Sequence, residues 1–341
     1  LGIFISKRLI MNKIIDKLLS QTNIHPILLD IGASGQPPDI WKSIARFSIY
    51  IGFDPDLREM YESNSDQFYK SFVINKAITE DKNKQEVLFY LTKSPYCSST
   101  LKPDLQSLDN YLFADLFQVE RQASVEATTL NSVLKSLSLD KINWFKTDSQ
   151  GTDLRLFNSL DSQIRNSVLA VDVEPGLIDA YIGEDLFVDT HRNLVQQGFW
   201  LSNLNVCGTT RMKPYTLKQV EKLSKNIHSA NIMQSAKISP SWCEARYLRT
   251  IDWLQATNSD HEQYLLLWIF AVVDQQMGFS ADIAFEYESK FGKDEFSQMI
   301  VQESIAMIQK LSKHRTLKQK VSNLIPKNIK SIIKKFISLQ K

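Results

Sequence analysis

Four apolar runs, each reaching a carboxylate, most narrow what this chain can fold into. They are ILLDIG (27–32), IYIGFD (49–54), INWFKTD (142–148) and VLAVDVE (168–174), rich in β-branched and aromatic residues. Helical stretches such as 152–160 and 186–197 alternate with them, the pattern of βαβ units and a parallel sheet. The expectation is an α/β chain with a doubly wound, mostly parallel, seven-stranded sheet and a C-terminal helical extension.

Strands are expected at Ile27–Ile31, Ile49–Phe53, Phe72–Ile78, Ile142–Thr147, Val168–Val173 and Phe199–Val206, with 245–252 closing the sheet. Glu86–Leu91 reads as an extra strand before the loop SPYCSST. A helix is expected over 56–63, and residues 207–243 read as a polar insertion with some helix. The domain plan is an amphipathic helix (1–20), the α/β domain (21–252), a helical extension (253–312) and a basic tail (313–341).

Apolar content of 43% and charged content of 23% are those of an ordinary globular protein. The longest apolar run, Tyr264–Val273, is about half a membrane span and reads as a buried helix. Cys97, Cys207 and Cys243 show no zinc or disulfide spacing, which fits a reducing compartment. Lys and Arg within the N-terminal apolar stretch argue against a secretory signal. A cytoplasmic location is expected, with peripheral contact at the inner membrane face as an option. Residues 310–341 hold ten Lys and Arg and no Asp or Glu, so the total of +2 leaves −8 for the preceding residues. Ile325, Ile329, Ile332, Ile333, Phe336 and Ile337 fall at helical spacing among these lysines. That tail suits an anionic membrane surface, a protein partner or the acidic body itself. An acidic body and a tail with one Arg and one aromatic disfavour nucleic acid.

The candidate chemistry lies at the run ends. After Asp30 come Gly32, Ala33, Ser34 and Gly35, a turn that lets backbone approach a ligand, and a Pro-Pro pair that opens an expected helix. Asp54 follows about twenty residues later, where doubly wound folds place an acid on ribose hydroxyls. This spacing alone does not separate a nicotinamide cofactor from S-adenosylmethionine. The missing G-x-G-x-x-G and the later carboxylates favour the second. By alternation, Asp172 and Glu174 face one side, so Asp30, Asp54, Asp148 and Glu174 are expected at one rim.

With these residues in order, the chain resembles the FkbM-type methyltransferases, a Rossmann-like class of S-adenosylmethionine enzymes. LLDIGASG, GFDPD, VINKAI (73–78), SPYCSSTLKP (94–103), VEATTLNSVL (125–134), FKTDSQGTDLRLF (145–157) and VDVEPGLIDAY carry the resemblance across about 27–206. It implies O-methylation of a hydroxyl, often on a sugar or polyketide, with a small-molecule or glycan acceptor. It further implies that Gly32 to Gly35 approach the methionine part and that Asp54, with Pro55, meets the ribose. Asn75, Ala77, Ser98 and Ser99 would lie by the adenine, and Asp148 between donor and acceptor. Asn131 and Asp153 depart from the family's Asp and Glu, and the turn G-A-S-G departs from G-A-N-x-G.

Asp148 is the expected proton acceptor, with Glu174 as second acid. The alternative has both carboxylates bind Mg²⁺, a cation that takes oxygen ligands. His191, beside Arg192, and His25, before the first strand, read as packing or surface histidines. A cofactor-binding module without turnover is the second functional reading. A dinucleotide oxidoreductase lacks both its phosphate turn and a Tyr-x-x-x-Lys constellation.

Overall fold

The computed structural model describes residues 13–55, 67–224, 231–232 and 235–324. In chain order the strands are β1 (Ile27–Ile31), β2 (Ile49–Phe53), β3 (Lys70–Ile74), β4 (Ala77–Ile78) and β5 (Glu86–Thr92). They continue with β6 (Val119–Thr128), β7 (Trp144–Thr147), β8 (Ala170–Val173), β9 (Phe199–Thr209) and β10 (Ser239–Arg249). Seven form one sheet in the order β3-β2-β1-β7-β8-β10-β9, and the other three form a second in the order β4-β6-β5. In the large sheet the β1, β2, β3, β7 and β8 pairings are parallel, while β10 runs antiparallel to β8 and β9. The strand order reverses between β1 and β7, which opens a crevice beyond their carboxyl ends.

The helices are α1 (13–22), α2 (Leu105–Leu108), α3 (Leu130–Ser136), α4 (Asp153–Asn158), α5 (Ser162–Ser167) and α6 (Phe187–Gln196). After these come α7 (Pro214–Leu223), α8 (Ile251–Ala256) and α9 (His261–Val273). One sheet face buries Leu29, Ile31, Ile51, Phe53, Phe145, Val171 and Val173 against α3, α4 and α6, whose Leu134, Leu156, Phe157 and Leu194 fill the core. The other face carries Trp144, whose ring meets Trp41 at 6.1 Å and Phe270 of α9 at 4.8 Å between centroids. All residues from Tyr264 to Val273 are buried, as the apolar run requires. Because both faces are covered, every residue of β1 is buried, and the strand is apolar apart from Asp30 rather than alternating.

Contacts divide the chain into a sheet-bearing unit, Leu1–Asp274, and a helical unit, Gln275–Lys341. The second contains α10 (Met277–Phe291) and α11 (Glu295–Leu324), separated at Gly292 in a left-handed conformation (φ 87°). Among the described residues, no helix is long and apolar enough to cross a membrane.

Several expected elements differ. Phe72–Ile78 is two strands, because Asn75 leaves the ladder to donate from Nδ2 to the Asp54 carbonyl (2.8 Å). The Pro-Pro pair opens only a 3₁₀ turn, Asp39–Ser43, followed by another at Ala45–Phe47. The closing strand is Ser239–Arg249 rather than 245–252, since Thr250 caps α8 by accepting from the Trp253 N–H (3.1 Å). Both ends of the supposed 207–243 insertion are strand, with α7 between. The helix expected at 56–63 and the apolar positions 325–337 of the tail lie outside the described residues.

Candidate functional site

A cavity of about 680 Å³ occupies the crevice at the strand-order reversal. Its floor is Ile31, Gly32, Ser34, Asp54, Pro55 and Asp148, all from the ends of β1, β2 and β7. One face of the small sheet supplies the opposite wall through Phe89, Leu91, Arg121, Ala123 and Val125, joined by Ala77 and Ile78. Tyr96 and Ser98 close the side formed by the Ser-rich loop. The volume falls within the ordinary range for a small-molecule site.

The glycine turn is built by its neighbours. Gly32 has φ 74°, and a Cβ there would lie 2.3 Å from the Asp148 carbonyl oxygen. The N–H groups of Gly32 and Ala33 both donate to the Phe53 carbonyl at 3.0 Å. Neither is free for a phosphate, and no α-helix follows β1 to add a dipole. Gly35 is also left-handed (φ 76°) but has nothing within 4 Å of a built Cβ. Ala33 and Gly35 are not on the cavity wall.

Asp54, Asp148 and Glu174 each stand one residue past their strands, whereas Asp30 lies inside β1. That parity sends Asp30 to the face opposite the apolar core. Its carboxylate is 2.8 Å from Lys146 Nζ and accepts from the Tyr50 hydroxyl (3.1 Å), away from the cavity. Burial alone would lower the Lys146 pKa, but Asp30 and Asp148 outweigh it and hold the ammonium protonated. Asp172 and Glu174 do not share an environment, because β8 ends at Val173 and alternation stops there. Asp172 accepts from Arg246 Nε (2.6 Å) and Trp144 Nε1 (3.0 Å).

Glu174 lies beside Asp148, close enough for the two carboxyls to act on each other. Burial first, then Asp148, Asp153 and Glu244, pushes its pKa up to about 9. Asp153 connects the two strand ends: its Oδ1 accepts from the Ser149 N–H (2.9 Å) and Thr147 hydroxyl (3.1 Å), and its Oδ2 from the Glu174 N–H (2.7 Å). Burial raises this carboxyl to about 6.

Of the residues expected at the cofactor, Gly32, Ser34, Asp54, Pro55, Ala77, Ser98 and Asp148 line the cavity. Asp30, Ala33, Gly35, Asn75 and Ser99 serve its frame. Ser99, for example, donates its hydroxyl proton to the Gln150 carbonyl (2.7 Å). Glu174 stands behind Asp148 rather than on the wall. Among the described residues, no group of three or more His, Cys, Asp or Glu side chains is arranged to hold a metal ion. His191 meets the Tyr247 hydroxyl (3.2 Å) and stacks on Phe187, while His25 meets the Phe47 carbonyl (2.8 Å) and stacks on Tyr69. Both are packing histidines.

Of the small-sheet wall, β5 matches the strand expected at Glu86–Leu91, whereas β6 was missed in the sequence. Val119, Arg121, Ala123 and Val125 alternate there with Glu120, Gln122, Ser124 and Glu126, a period-two signal interrupted by Arg121. No protein-family model, curated protein or solved structure matches the chain.

Proposed function

We propose that the chain is an S-adenosylmethionine-dependent O-methyltransferase of the Rossmann-like, doubly wound kind, acting on a hydroxyl of a sugar or glycoconjugate precursor. The observation that carries the choice of donor is the turn itself. The Gly32 and Ala33 N–H groups are taken by Phe53, and the crevice floor presents Asp54 and Asp148. At the turn a pyrophosphate would meet carboxylates without backbone donors, with Arg121 on the opposite wall, whereas a sulfonium cation meets opposite charge there. Lys76 and Lys93 on the rim are paired with Glu126 (3.0 Å) and with Asp115. The apolar wall of Ile78, Phe89, Leu91 and Val125 suits a flat purine, and Asp54 lies where a ribose acid is needed. The sugar acceptor rests on the FkbM-type resemblance.

Bound there, S-adenosylmethionine supplies a methyl group on positively charged sulfur. The chain's own work is alignment and proton removal. Holding two reactants in line is worth about 7–11 kcal/mol. Asp148, at the cavity floor, takes the proton from the acceptor hydroxyl as its oxygen bonds the methyl carbon and the carbon–sulfur bond breaks, the electron pair staying on sulfur. Glu174, its pKa pushed up to about 9, stays protonated at neutral pH and spares the site a second negative charge.

Calorimetric titration with S-adenosylmethionine, S-adenosylhomocysteine and NAD tests this. Micromolar binding of the first two and none of NAD is expected. Binding of NAD alone, or of none of the three, overturns it.

A further inference from the structure

The Asp148 carboxylate is held by a chain of side chains that proton abstraction alone does not require. Gln150 Nε2 donates to Asp148 Oδ1 at 2.6 Å. The Tyr181 hydroxyl lies 2.9 Å from Gln150 Oε1 and 2.9 Å from the Cys97 carbonyl. Gln150 sits in the left-handed region (φ 55°), a conformation that non-glycine residues adopt at a cost. Next to it Gly151 (φ 102°) leaves no room for a Cβ, which would fall 2.9 Å from Glu184 Cβ.

The same backbone is pinned on two sides. Ser99 Oγ donates to the Gln150 carbonyl, and the Asp185 N–H donates to the Gly151 carbonyl (2.8 Å). The two flanking segments also meet each other: Ile182 N–H donates to the Lys102 carbonyl (2.9 Å) and Asp104 N–H to the Ala180 carbonyl (2.9 Å). Tyr181 itself is 4% exposed and packs with Phe117 in a small core beneath the Ser-rich loop.

We propose that Gln150, oriented by Tyr181, is a positioning residue that fixes one oxygen of Asp148 and leaves the other for the acceptor hydroxyl. Its purpose rests on the methyl-transfer reading; its geometry does not. A glutamine amide can turn end for end, and its two ends differ in chemistry. The ionised Asp148 carboxylate only accepts and so calls for Nε2, while Oε1 shares the single Tyr181 hydroxyl proton with the Cys97 carbonyl. The carboxylate is thereby registered on the Ser-rich loop and on the 176–186 segment at once. A base held within a few tenths of an ångström is what an in-line transfer needs.

Other groups act on Asp148 from every side. Lys146 and Asp30 lie beneath it, Asp153 reaches it from α4, Glu174 from the end of β8, and Cys97 and Tyr181 from the loop side. The test therefore compares variants in one Glu174→Gln background, so that Asp148 has no proton-sharing neighbour. Infrared pH titration of the full chain follows the protonated carboxyl band, with Asp148→Asn assigning it. Gln150→Met removes an N–H donor that favours the charged form, so the Asp148 band titrates at higher pH than in the Glu174→Gln parent. Tyr181→Phe, which keeps the ring packed, moves it the same way by less. Unchanged midpoints in both variants overturn the proposal. Calorimetry on wild type separates the two readings: shifted midpoints without S-adenosylmethionine binding uphold the positioning role and reject the methyl donor.

Discussion

The Lys146 ammonium sits 2.8 Å from the Asp30 carboxylate, on neighbouring strands at directly paired positions. The pair lies beneath the glycine turn, and Lys146 Nζ also approaches the Gly32 carbonyl at 3.4 Å. Asp30 therefore acts on the crevice through Lys146 rather than through a ligand. The carboxylate nearest the glycines in sequence braces the turn, and the ones one residue beyond β2 and β7 face the cavity.

Lys146→Met leaves Asp30 buried with only the Tyr50 hydroxyl as partner. Breaking a buried pair from one side costs about 3–5 kcal/mol, so the urea midpoint should fall sharply. Adding Asp30→Asn removes the orphaned charge and should recover part of that loss. A single variant as stable as wild type would show that the pair carries no net stabilisation.

The two left-handed glycines of the turn should respond differently to the same change. Gly35→Ala meets open space and incurs only the backbone cost of about 1–2 kcal/mol. Gly32→Ala adds a collision with the Asp148 carbonyl, built at 2.3 Å, and overpacking of that kind costs about 1–3 kcal/mol more. Denaturation curves of the two variants give the comparison directly. Equal losses would mean that the β1 and β7 ends separate freely.

The core strands are legible because burial on both faces writes itself as apolar-rich runs, broken by single charged residues at Asp30 in β1, Lys146 in β7 and Asp172 in β8. In the small sheet β5 is legible from the apolar residues of EVLFYLT, whereas β6 is not, since most of it is exposed and its apolar positions are few. Strand β9 runs past its expected end at Val206 to Thr209, because Cys207, Gly208 and Thr209 continue no apolar run. For the site, sequence identifies the carboxylates but not their parity. A shift of one residue separates Asp30, inside its strand, from Asp54 and Asp148, just past theirs, and that shift decides which faces the cavity. Gln150 is invisible as a functional residue because its partner Tyr181 lies 31 positions away.

Stability should fall as pH rises through neutrality, opposite to the usual behaviour of carboxylates. Burial raises Glu174 from 4.5 to about 9, Asp153 from 3.8 to about 6 and Glu184 from 4.5 to about 7. Between the unfolded and folded values the native state binds more protons, so raising pH favours unfolding. For Glu174 that window runs from about 4.5 to about 9, and above it the slope vanishes. Glu174→Gln should therefore stabilise the chain more at about pH 8 than at about pH 5. Thermal melts of both proteins across that range check the sign, and parallel curves would show that Glu174 is ionised in the native state.

Asp148→Asn separates binding from chemistry. The substitution keeps shape and retains an oxygen for the Gln150 amide, so the turn and the cavity should persist. It removes the negative charge and the basic lone pair that receives the acceptor proton. Loss of a positioned general base lowers turnover by about 100- to 10,000-fold. Affinity for neutral S-adenosylhomocysteine should stay within a few-fold of wild type, while the cationic donor loses some attraction. Methyl transfer from radiolabelled donor to a panel of sugar acceptors, read beside calorimetry with both ligands, gives each quantity separately. Unchanged turnover would take the base role from Asp148, and equal loss of both affinities would make it a structural residue of the crevice floor.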